Sequence, residues 1–351
     1  MRVVVIGATG NVGTSVVRAL SSDPAIESIV GVARRVPGPS AAKVEWVQAD
    51  VTSSPLVPTF EGADAAIHLA WAIQPSRDDA ALRATNIEGT VRVLDAVAKS
   101  RVPALIYASS VGAYSRGPKD RKVDESWPTG GIETSFYSSH KAEVESLLDD
   151  FERGEPGVRV VRLRPGLIFK REAATEIRRL FLGPLVPQFA FDRRALRAVP
   201  DIPGLRFQAV HTDDVAKAYR LALHDPDAHG AYNIAADPVL DPHLIAEMLG
   251  ARRVKTSARA LRALAAGTWR ARLQPTPEGW LDMALGVPLM DGSRAREELG
   301  WSPQRDAAST LLELIDGLRA GSGLASPPLD PASSGVARIG EFRTGVGARA
   351  Y

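Results

Sequence analysis

Short apolar runs alternate with longer stretches of helical periodicity from the first residue to Arg164. The runs are β-branched and apolar at consecutive positions, which is typical of parallel strands that helices cover on both faces. The pattern predicts a doubly wound α/β domain. Its predicted strands are residues 2–6, 28–33, 44–48, 65–69, 104–109 and 159–163. Right-handed crossovers bring their carboxyl ends to one edge, so we expect functional residues just after each strand.

After Arg164 short apolar runs and helical stretches no longer alternate regularly. The pattern there predicts a helix over 172–185, a strand over 206–210 and a helix over 213–223. These elements indicate a smaller substrate lobe interleaved with the late part of the sheet. The predicted division is therefore a sheet domain at 1–165 and a lobe at 166–320. The segment 321–351 begins with a stretch rich in Gly, Ser and Pro, which predicts a mobile tail outside the folded body.

The composition is that of a globular protein of 351 residues, with 45% hydrophobic and 24% charged residues. The chain has no cysteine. Disulfides, thiolate catalysis and zinc–cysteine sites are therefore excluded, and redox chemistry requires a bound cofactor. The six histidines show no ligand spacing, so no metal site is expected.

Charge and hydropathy narrow the range of partners. The net charge is +2, and the basic residues are interspersed with Asp and Glu, so no nucleic-acid partner is expected. No apolar run approaches eighteen residues, and the predicted strand at 2–6 leaves no room for a secretion signal. We therefore expect no membrane partner and a cytoplasmic location.

A glycine-rich turn, Gly-Ala-Thr-Gly-Asn-Val-Gly at 7–13, joins the first strand to a helix predicted over 14–20. Gly7 permits the tight turn, Gly10 lets the backbone approach a pyrophosphate, and Gly13 allows the helix to pack closely on the strand. The helix N-terminus offers amide donors to the anion. This arrangement predicts a Rossmann domain that binds a dinucleotide. The predicted binding residues of the turn are Gly7, Thr9, Gly10, Asn11, Val12 and Gly13.

The end of the second predicted strand bears on the choice of cofactor. Arg34 and Arg35 stand where a carboxylate would bind the ribose of NAD, which favours NADP over NAD, although both can equally belong to a solvated loop. Asp50 and Val51 follow the third strand and are expected to meet the adenine. Asp50 can instead cap the next turn.

Tyr137 and Lys141 lie four residues apart at the start of a helical pattern, which places them on one helix face. A neighbouring lysine favours phenolate, so the expected effect is a lower tyrosine pKa and proton transfer near neutral pH. Ser109 and Ser110 follow a strand on the cofactor edge. A hydroxyl there can hydrogen-bond a substrate oxygen beside the tyrosine.

Several further motifs occur in a characteristic order with these residues. They are His68-Leu69-Ala70, Asn86-Ile87-Glu88-Gly89-Thr90, Ser109-Ser110-Val111-Gly112-Ala113-Tyr114, Arg164-Pro165-Gly166, Val210-His211-Thr212-Asp213-Asp214-Val215 and Leu299-Gly300-Trp301-Ser302-Pro303. With the glycine turn and the Tyr137/Lys141 pair, they resemble the extended branch of the short-chain dehydrogenase/reductase superfamily, the NAD-dependent epimerase/dehydratase type. The resemblance covers about residues 2–303.

The resemblance implies a role for each matched residue. Tyr137 is the expected general acid/base, and Lys141 binds the nicotinamide ribose and lowers the tyrosine pKa. Ser110, four residues before Tyr114, holds the substrate oxygen. Asn86 shapes the proton relay, with helix capping as the alternative. Leu69, Ala70 and Pro165 line the cofactor. Family members often pair as dimers, so a homodimer is also expected.

Departures from the family pattern bear on the substrate. Val111 and Gly112 occupy the places of the Asp-Glu pair of nucleotide-sugar dehydratases, and Leu167 stands where epimerases carry asparagine. Lys170 replaces a usual glycine. These differences disfavour dehydratase chemistry and nucleotide-sugar binding.

The smaller lobe and its borders hold two sets of candidate substrate residues. An apolar pocket, with core packing as the alternative, is predicted from Val12, Trp71, Ile73, Leu167, Phe169, Phe189 and Phe191. An anionic substrate group can meet arginines that otherwise belong to solvated helix faces, namely Arg178, Arg179, Arg193, Arg194 and Arg197.

The first hypothesis is an oxidoreductase that transfers hydride between NADP or NAD and a carbonyl or alcohol carbon of a small-molecule substrate. The second is an epimerase of a sugar or sugar nucleotide, which returns the hydride to the opposite face. A non-catalytic dinucleotide-binding regulator is the third, and it needs no acid/base group. The presence of Ser110, Tyr137 and Lys141 together favours an enzyme.

Overall fold

The structure is a computed structural model that describes residues 1–37, 43–183, 188–192 and 196–331. Its strands are β1 Arg2–Ile6, β2 Ser28–Ala33, β3 Val44–Gln48, β4 Ala65–His68, β5 Ala104–Ala108, β6 Lys122–Val123, β7 Arg159–Pro165, β8 Leu167–Phe169, β9 Ala198–Asp201, β10 Ala209–His211, β11 Gly230–Ile234, β12 Arg252–Lys255 and β13 Leu289–Met290. Its α-helices are α1 Asn11–Ser21, α2 Val57–Phe60, α3 Asp79–Arg83, α4 Gly89–Lys99, α5 Phe136–Gly154, α6 Ala174–Ile177, α7 Thr212–His224, α8 Pro242–Leu249, α9 Ala258–Arg270, α10 Gly279–Gly286, α11 Ser293–Leu299 and α12 Ala307–Ala320.

Seven parallel strands form the central sheet in the order β11-β7-β5-β4-β1-β2-β3. This confirms the predicted doubly wound α/β fold. The order reverses beside β1, which is where ligands bind in such sheets. The six predicted strands are all present, and their ends agree within two residues. The seventh, β11, was not predicted.

Alternate residues of the central strands pack into two separate cores. In β1, Val3 and Val5 belong to the core under α1 and α7, whereas Val4 and Ile6 belong to the core under α4 and α5. All four side chains are buried. Because both faces of the sheet are covered, the strand is apolar at every position from Val3 to Ile6, which explains why its extent could be predicted.

The chain after β7 both completes the sheet and builds the smaller lobe. β11 joins β7, while β8 with β10, β9 with β12, and β6 with β13 form two-stranded parallel pairs. The helix predicted over 172–185 is present as a continuous helical segment, made of a 3₁₀ turn at Arg171–Ala173, α6 and a π-helical turn at Arg178–Leu182, while residues 184–185 lie outside the described residues. The strand predicted over 206–210 is β10, at the end of that range. No helix among the described residues is long and apolar enough to cross a membrane.

Residues 321–331, which we call the C-terminal strap, lie on the folded body rather than apart from it. Leu329 is fully buried, and the Ser326 hydroxyl donates a hydrogen bond of 2.6 Å to the carbonyl of Thr9. The expected departure from the body at 321 is therefore wrong for this segment. The buried leucine supplies the anchor that composition alone did not reveal. The rest of the predicted mobile tail, 332–351, lies outside the described residues.

Candidate active site

The glycine turn connects β1 to α1, and its glycines meet different constraints. Gly7 has φ +84, and a Cβ there would lie 2.7 Å from the backbone nitrogen of Ala70. A Cβ on Gly13 would lie 2.3 Å from the carbonyl oxygen of Gly7. At Gly10 the nearest atom is that same oxygen, at 3.5 Å. The protein's own packing thus requires Gly7 and Gly13, while Gly10 leaves room for an approaching group.

The N-terminus of α1 has the character of an anion site. Gly10 caps the helix without a side-chain hydrogen bond, and the first turn contains no acidic residue. The first amides of a helix lack intrahelical partners, and they favour a negative group. Together with the open position at Gly10, these features fit a dinucleotide pyrophosphate.

The other residues of the turn face the protein. Thr9 is buried beneath the C-terminal strap, and Val12 packs against the core. The Asn11 side chain accepts a hydrogen bond from Thr212 at 3.2 Å. Sequence reasoning placed Thr9, Asn11 and Val12 at the cofactor. In the structure Thr9 is buried whereas Asn11 and Val12 are half-buried, and their contact with a cofactor stays a prediction.

Lys170 is a buried cation directly behind the turn. Its ammonium donates to the Asn11 carbonyl at 2.8 Å and to the hydroxyls of Thr14 at 2.8 Å and Ser15 at 3.2 Å. Burial lowers the pKa of Lys170 to about 8, against the attraction of Asp213. The departure noted in the sequence therefore ties β8 to the first turn of α1.

The candidate selectivity residues lie where the sequence predicted, at the ends of β2 and β3. Arg34 and Arg35 are exposed. The Asp50 carboxylate accepts hydrogen bonds from the amide and hydroxyl of Thr52, at 2.9 and 2.8 Å. Val51 is buried against Gly89. Asp50 therefore performs the turn-capping role that was the alternative to adenine binding.

Helix α5 carries Tyr137 and Lys141, and it begins after Ser135, whose hydroxyl caps it. Ser110 follows β5, where its side chain lies close enough to Tyr137 to lower the pKa of that residue, and it accepts a hydrogen bond from the amide of Gly112 at 3.0 Å. The neighbouring Ser109 instead donates to the carboxylate of Glu145. Of the two serines, Ser110 is thus the one beside the tyrosine.

Lys141 is buried and turns toward the sheet. Its ammonium donates to the carbonyl of Ala108 at 2.6 Å and to the Tyr107 hydroxyl at 3.3 Å. It also lies 3.5 Å from the ring centroid of Trp71 but 6.0 Å from that of Tyr137. The lysine is therefore on the same helix face as the tyrosine without touching its hydroxyl.

The protonation of Tyr137 differs from the expectation. Burial raises the pKa of Tyr137, and the hydrogen bond with Ser110 offsets only part of that rise. Burial also lowers the pKa of Lys141 well below its usual range, while Glu145 acts in the opposite direction. The predicted lowering of the tyrosine pKa by the lysine is therefore not found, because the ammonium is held at Ala108 and its charged form is itself disfavoured.

Asn86 lies in a π-helical turn, Ala84–Glu88, between α3 and α4. Its side-chain amide accepts from the amide of Ala72 at 2.7 Å and donates to the carbonyl of the same residue at 2.9 Å. It also lies 3.5 Å from a ring nitrogen of His140. Asn86 is not a helix cap. It fixes the loop after β4 against α5, and π-helical turns of this kind are frequent at functional sites.

The remaining predicted site residues lie along the same edge. Leu69 and Ala70 follow β4, and Pro165 ends β7. His68 is buried with Nε2 3.0 Å from the Thr90 hydroxyl, and burial together with Lys141 lowers its pKa to about 3, so the ring is neutral. No group of three potential metal ligands occurs among the described residues.

A buried ionic network anchors α5 to β7. Glu145 accepts hydrogen bonds from Arg164 at 2.9 and 2.8 Å and from Arg162 at 3.1 Å. Burial opposes ionisation of Glu145, but its arginine and Ser109 partners outweigh it and lower the pKa to about 2. Arg164 also donates to Tyr114 at 3.1 Å. The network holds the helix that carries Tyr137, and sequence reasoning did not identify it.

Aromatic rings surround the candidate acid/base. The ring of Trp280 lies 5.0 Å and that of Trp71 lies 5.9 Å from the ring of Tyr137, centroid to centroid. Phe181 and Phe136 meet Trp280 edge-on at 4.9 and 6.0 Å. Of these neighbours only Trp71 was among the predicted pocket residues. Trp280 was missed because α10 is far along the chain and only tertiary packing brings it here.

Most of the other predicted pocket residues lie elsewhere. Phe169 and Phe191 pack with α12, Val12 belongs to the main core, and Leu167 is exposed. Ile73 is half-buried. The side chain of Phe189 lies outside the described residues. Core packing was therefore the better interpretation for Phe169, Phe191 and Val12.

The predicted anion-binding arginines are not gathered at Tyr137. Arg179 is buried, and its guanidinium donates to the Pro328 carbonyl in the strap. Arg178 is half-buried and Arg197 is exposed. Arg193 and Arg194 lie outside the described residues.

The departure from the family pattern at Gly112 has a steric reason, since a Cβ there would lie 2.9 Å from the Tyr137 ring.

A family model described as the NAD dependent epimerase/dehydratase family matches residues 3–235. The chain belongs to this family, which is a family of enzymes. An uncharacterized protein of Mycobacterium tuberculosis (strain H37Rv) is 27% identical over 92% of this chain and 31% of its own length. The chain thus spans about a third of the length of the first curated relatives it matches.

Two relatives align over most of both chains. A UDP-glucose 4-epimerase of Neisseria meningitidis serogroup C is 24% identical over 88% of this chain and 95% of the relative. A ketoreductase of Stigmatella aurantiaca, named for a 3-oxo-4-farnesyl dihydroquinoline oxide, is 24% identical over 86% and 92%.

Solved structures share the fold. UDP-glucose 4-epimerase of Thermus thermophilus in complex with NAD has a TM-score of 0.66 at 20% identity, covering 91% of this chain and 99% of that chain. A dTDP-glucose 4,6-dehydratase of Streptomyces venezuelae with NAD has a TM-score of 0.67 at 20% identity, covering 91% and 97%. These neighbours show the same fold, and the family model confirms the NAD-dependent epimerase/dehydratase type recognised from the motifs.

Proposed function

We propose that the protein is an NAD(P)-dependent oxidoreductase that transfers hydride between the nicotinamide and a carbonyl or alcohol carbon of a small molecule. The observation that carries this proposal is the pairing of Ser110 with Tyr137 at the same sheet edge as the open turn at Gly10. Lys141 lies one turn further along the same helix. A regulator that only binds the dinucleotide would have no use for this acid/base pair.

The dinucleotide supplies the hydride chemistry when it is bound. The amides at the start of α1 hold the pyrophosphate, and Lys141 is the residue that would reach the ribose. Because burial raises the pKa of Tyr137, its hydroxyl stays protonated at neutral pH and acts as a proton donor. Ser110 orients the substrate oxygen toward that proton. Tyr137 would donate this proton in the reduction of a carbonyl and accept it back in the oxidation of an alcohol.

Tyr137→Phe tests this assignment. The variant keeps the ring packing against Trp71 and Trp280 but has no proton to donate, so we expect turnover to fall by about 10²–10⁴-fold or more while the Kd for the dinucleotide stays within about twofold. Reduction of a carbonyl panel is followed at the nicotinamide absorbance band, and the Kd by fluorescence. Turnover equal to that of the parent protein would refute the assignment.

Arg34 is proposed to favour NADP by pairing with its 2′-phosphate. Arg34→Ala should then raise the Kd for NADP by about tenfold, since a charge-assisted contact contributes roughly 1.5 kcal/mol, and leave the Kd for NAD unchanged. Arg101→Ala, at an exposed position after α4, is the control. Equal affinity of the parent protein for NADP and NAD would contradict the preference.

An epimerase is the second candidate, and the alignment with the Neisseria UDP-glucose 4-epimerase over almost its whole length favours it. The two reactions differ in their need for added cofactor. An epimerase retains its dinucleotide and shows no net absorbance change, whereas a reductase consumes reduced cofactor. Mass spectrometry of ligand released from fresh protein, followed by a screen of carbonyls and sugar nucleotides, distinguishes them. The name of the Stigmatella ketoreductase supports inclusion of apolar ketones in that screen.

A further inference from the structure

The surroundings of the Tyr137 ring are aromatic and aliphatic. Trp280 and Trp71 flank the ring, Phe181 extends the row beyond Trp280, and all three are only half-buried. Each ring therefore keeps some surface that other side chains do not cover, although the Lys141 ammonium already lies over the Trp71 ring. Behind them, aliphatic side chains complete the cluster, namely Val111, Ile132, Met283 and Val287.

Two polar side chains of the surrounding segments, those of Asp282 and Arg179, already have partners. Asp282, two residues after Trp280, forms a bidentate pair with Arg262 at 2.9–3.1 Å. Arg179 is held by the strap. A sugar diphosphate needs several hydrogen-bond donors and cations around it, because a buried polar group without partners is costly. The described residues around Tyr137 offer mainly ring faces instead.

We propose that the site takes an apolar carbonyl compound with a flat ring system, packed against Trp280 and Trp71 with its carbonyl at Ser110 and Tyr137. This substrate class rests on the proposed function for the position of the carbonyl. Flat rings gain from offset or edge-on contacts with indole, and such contacts add to the burial of apolar area. Ser110 and Tyr137 supply the hydrogen bonds that fix the orientation, as expected of an apolar pocket with few polar groups.

Binding rather than turnover tests the substrate class. The affinities of 2-acetonaphthone, of trans-1-decalone and of UDP-glucose are measured by calorimetry on the dinucleotide-loaded protein. The same measurements are made on Trp280→Ala and on a matched control, Trp46→Phe, whose ring packs on β2 at the far side of the sheet. We expect 2-acetonaphthone to bind more tightly than UDP-glucose and Trp280→Ala to weaken it by about tenfold, with the control unchanged.

Tighter binding of UDP-glucose, or 2-acetonaphthone affinity that is insensitive to Trp280→Ala, would overturn the proposal. Tyr137→Phe separates this outcome from failure of the proposed function. If the variant binds 2-acetonaphthone normally and the parent protein does not reduce it, the substrate class stands and the reaction is wrong. If turnover occurs only with sugar nucleotides, the reaction stands and the substrate class is wrong.

A second, independent observation concerns the surface formed by β12, α9 and the residues after them, 252–273, which we call the α9 surface. This stretch contains no Asp or Glu and seven basic residues, namely Arg252, Arg253, Lys255, Arg259, Arg262, Arg270 and Arg272. The rest of the chain is therefore net acidic. The expectation that basic residues are interspersed with acidic ones is wrong for this stretch.

The outward face of α9 lacks the neutral polar and acidic residues usual on a solvated helix. Its exposed positions are Arg259, Ala260, Ala263, Leu264, Gly267 and Arg270. Three of the exposed large hydrophobic residues of the described chain also lie on the α9 surface: Leu264 at 61%, Val254 at 49% and Leu273 at 49%. Exposed apolar side chains beside cations are typical of helices that lie on membranes.

Several cations of this surface remain free to meet an anionic partner. Arg253, Arg262 and Arg270 pair with acidic residues of neighbouring segments. Arg252, Lys255, Arg259 and Arg272 have no acidic partner among the described residues. The segment that follows the α9 surface also contacts the aromatic residues near Tyr137, since the Thr276 hydroxyl donates a hydrogen bond to the carbonyl of Phe181.

We propose that the α9 surface docks on an anionic lipid bilayer. Leucine side chains exposed between arginines favour lipid over nucleic acid, which would use the cations but not the leucines. Docking here would bring the aromatic site close to a reservoir of apolar substrate. The proposal replaces the expectation of no membrane partner, and it concerns attachment to a surface rather than a spanning helix.

Vesicle co-sedimentation of the full chain tests the docking. We expect binding to phosphatidylcholine vesicles with 30 mol% phosphatidylglycerol, at least fivefold weaker binding to pure phosphatidylcholine, and loss of binding in Leu264→Glu and Leu273→Glu. Val91→Glu, at an exposed valine of α4, is the matched control. Absence of binding to the anionic vesicles would overturn the proposal, as would Leu264→Glu binding like the control. Preferential binding of RNA, or a dimer dissociated by Leu264→Glu in sedimentation velocity, would identify a different occupant.

Discussion

The three glycines of the cofactor turn are needed for different reasons. The packing of the protein itself requires Gly7 and Gly13, whereas Gly10 is proposed to leave space for a ligand. Gly10 has φ −76, which alanine adopts freely, and its Cβ direction is open. Gly10→Ala should therefore keep the melting temperature of the parent protein while weakening dinucleotide binding by at least tenfold, because the new methyl group occupies the space of the pyrophosphate. Differential scanning fluorimetry and fluorescence titration measure the two effects. Unchanged affinity would mean that the pyrophosphate lies elsewhere.

Gly13→Ala should behave in the opposite way. Its Cβ would lie 2.3 Å from the Gly7 carbonyl, so α1 must move away from β1. We expect a loss of about 1–3 kcal/mol in the free energy of unfolding, as for overpacked cores, measured by urea denaturation without ligand. Gly154→Ala, where no atom lies within 4 Å, is the matched control. Equal stability of Gly13→Ala and this control would contradict the steric argument.

At the scale of elements, α5 carries the proposed acid/base residues and a buried carboxylate on successive turns. Tyr137, Lys141 and Glu145 follow at intervals of four residues, and only Glu145 reaches the arginines of β7. Glu145→Gln removes the carboxylate partner of the buried Arg164, while Arg162 keeps Asp149 and Glu152, and we expect a loss of about 3–5 kcal/mol in the free energy of unfolding. Glu143→Gln, which loses a half-exposed pair with Arg83, should cost less than about 1 kcal/mol. Urea denaturation compares them, and similar losses would contradict the role of the network.

The pH dependence of stability follows from the same carboxylate. The folded pKa of Glu145 is lowered from 4.5 to about 2, so the folded state binds fewer protons than the unfolded state between these values. The stabilisation from Glu145 is therefore complete above pH 4.5 and lost as the pH falls toward 2. The difference in unfolding free energy between the parent protein and Glu145→Gln should shrink over this range. A difference that is constant from pH 5 to pH 2.5 would contradict the lowered pKa.

How far the sequence predicts the elements depends on how each is buried. Strands of the central sheet consist largely of buried apolar residues because helices cover both faces, so their ends could be predicted within two residues. β11 was missed because Gly230 and Asn233 interrupt its apolar run, although Asn233 is buried and bonded to Tyr114. The two- to four-residue strands of the lobe carry no periodicity. Their pairing is set by tertiary contacts alone.

The residues of the candidate site also differ in how far the sequence predicts their positions. Residues fixed by local geometry, the glycine turn and the i to i+4 pair of α5, could be predicted from spacing. The orientation of Lys141 toward Ala108 could not, because it depends on a carbonyl of another element. Trp280 likewise comes from a helix more than a hundred residues after Tyr137. The substrate side of the site is therefore the part that only the assembled fold reveals.

At the scale of the whole molecule, the C-terminal strap connects α12 to the glycine turn between β1 and α1. It leaves α12 at Gly321, contacts Thr175 through the carbonyl of Ser322, and reaches the glycine turn through Ser326. Leu329 anchors it in the body. The strap therefore closes one side of the turn that is proposed to hold the pyrophosphate. Release of a bound dinucleotide should be slower while the strap is in place.

Deletion of residues 321–351 should consequently raise the dissociation rate of the reduced dinucleotide by at least fivefold, because Thr9 loses its cover and the buried contacts of Leu329 are removed. Stopped-flow fluorescence after dilution or displacement measures the rate. Deletion of 332–351 alone is the control, since it keeps Ser326 and Leu329, and Ser326→Ala isolates the single hydrogen bond to Thr9. If both deletions release the dinucleotide at the rate of the parent protein, the strap serves the stability of the fold and not the retention of the cofactor. Faster release of the dinucleotide from both deletion variants would show that the segment after residue 331 slows its dissociation.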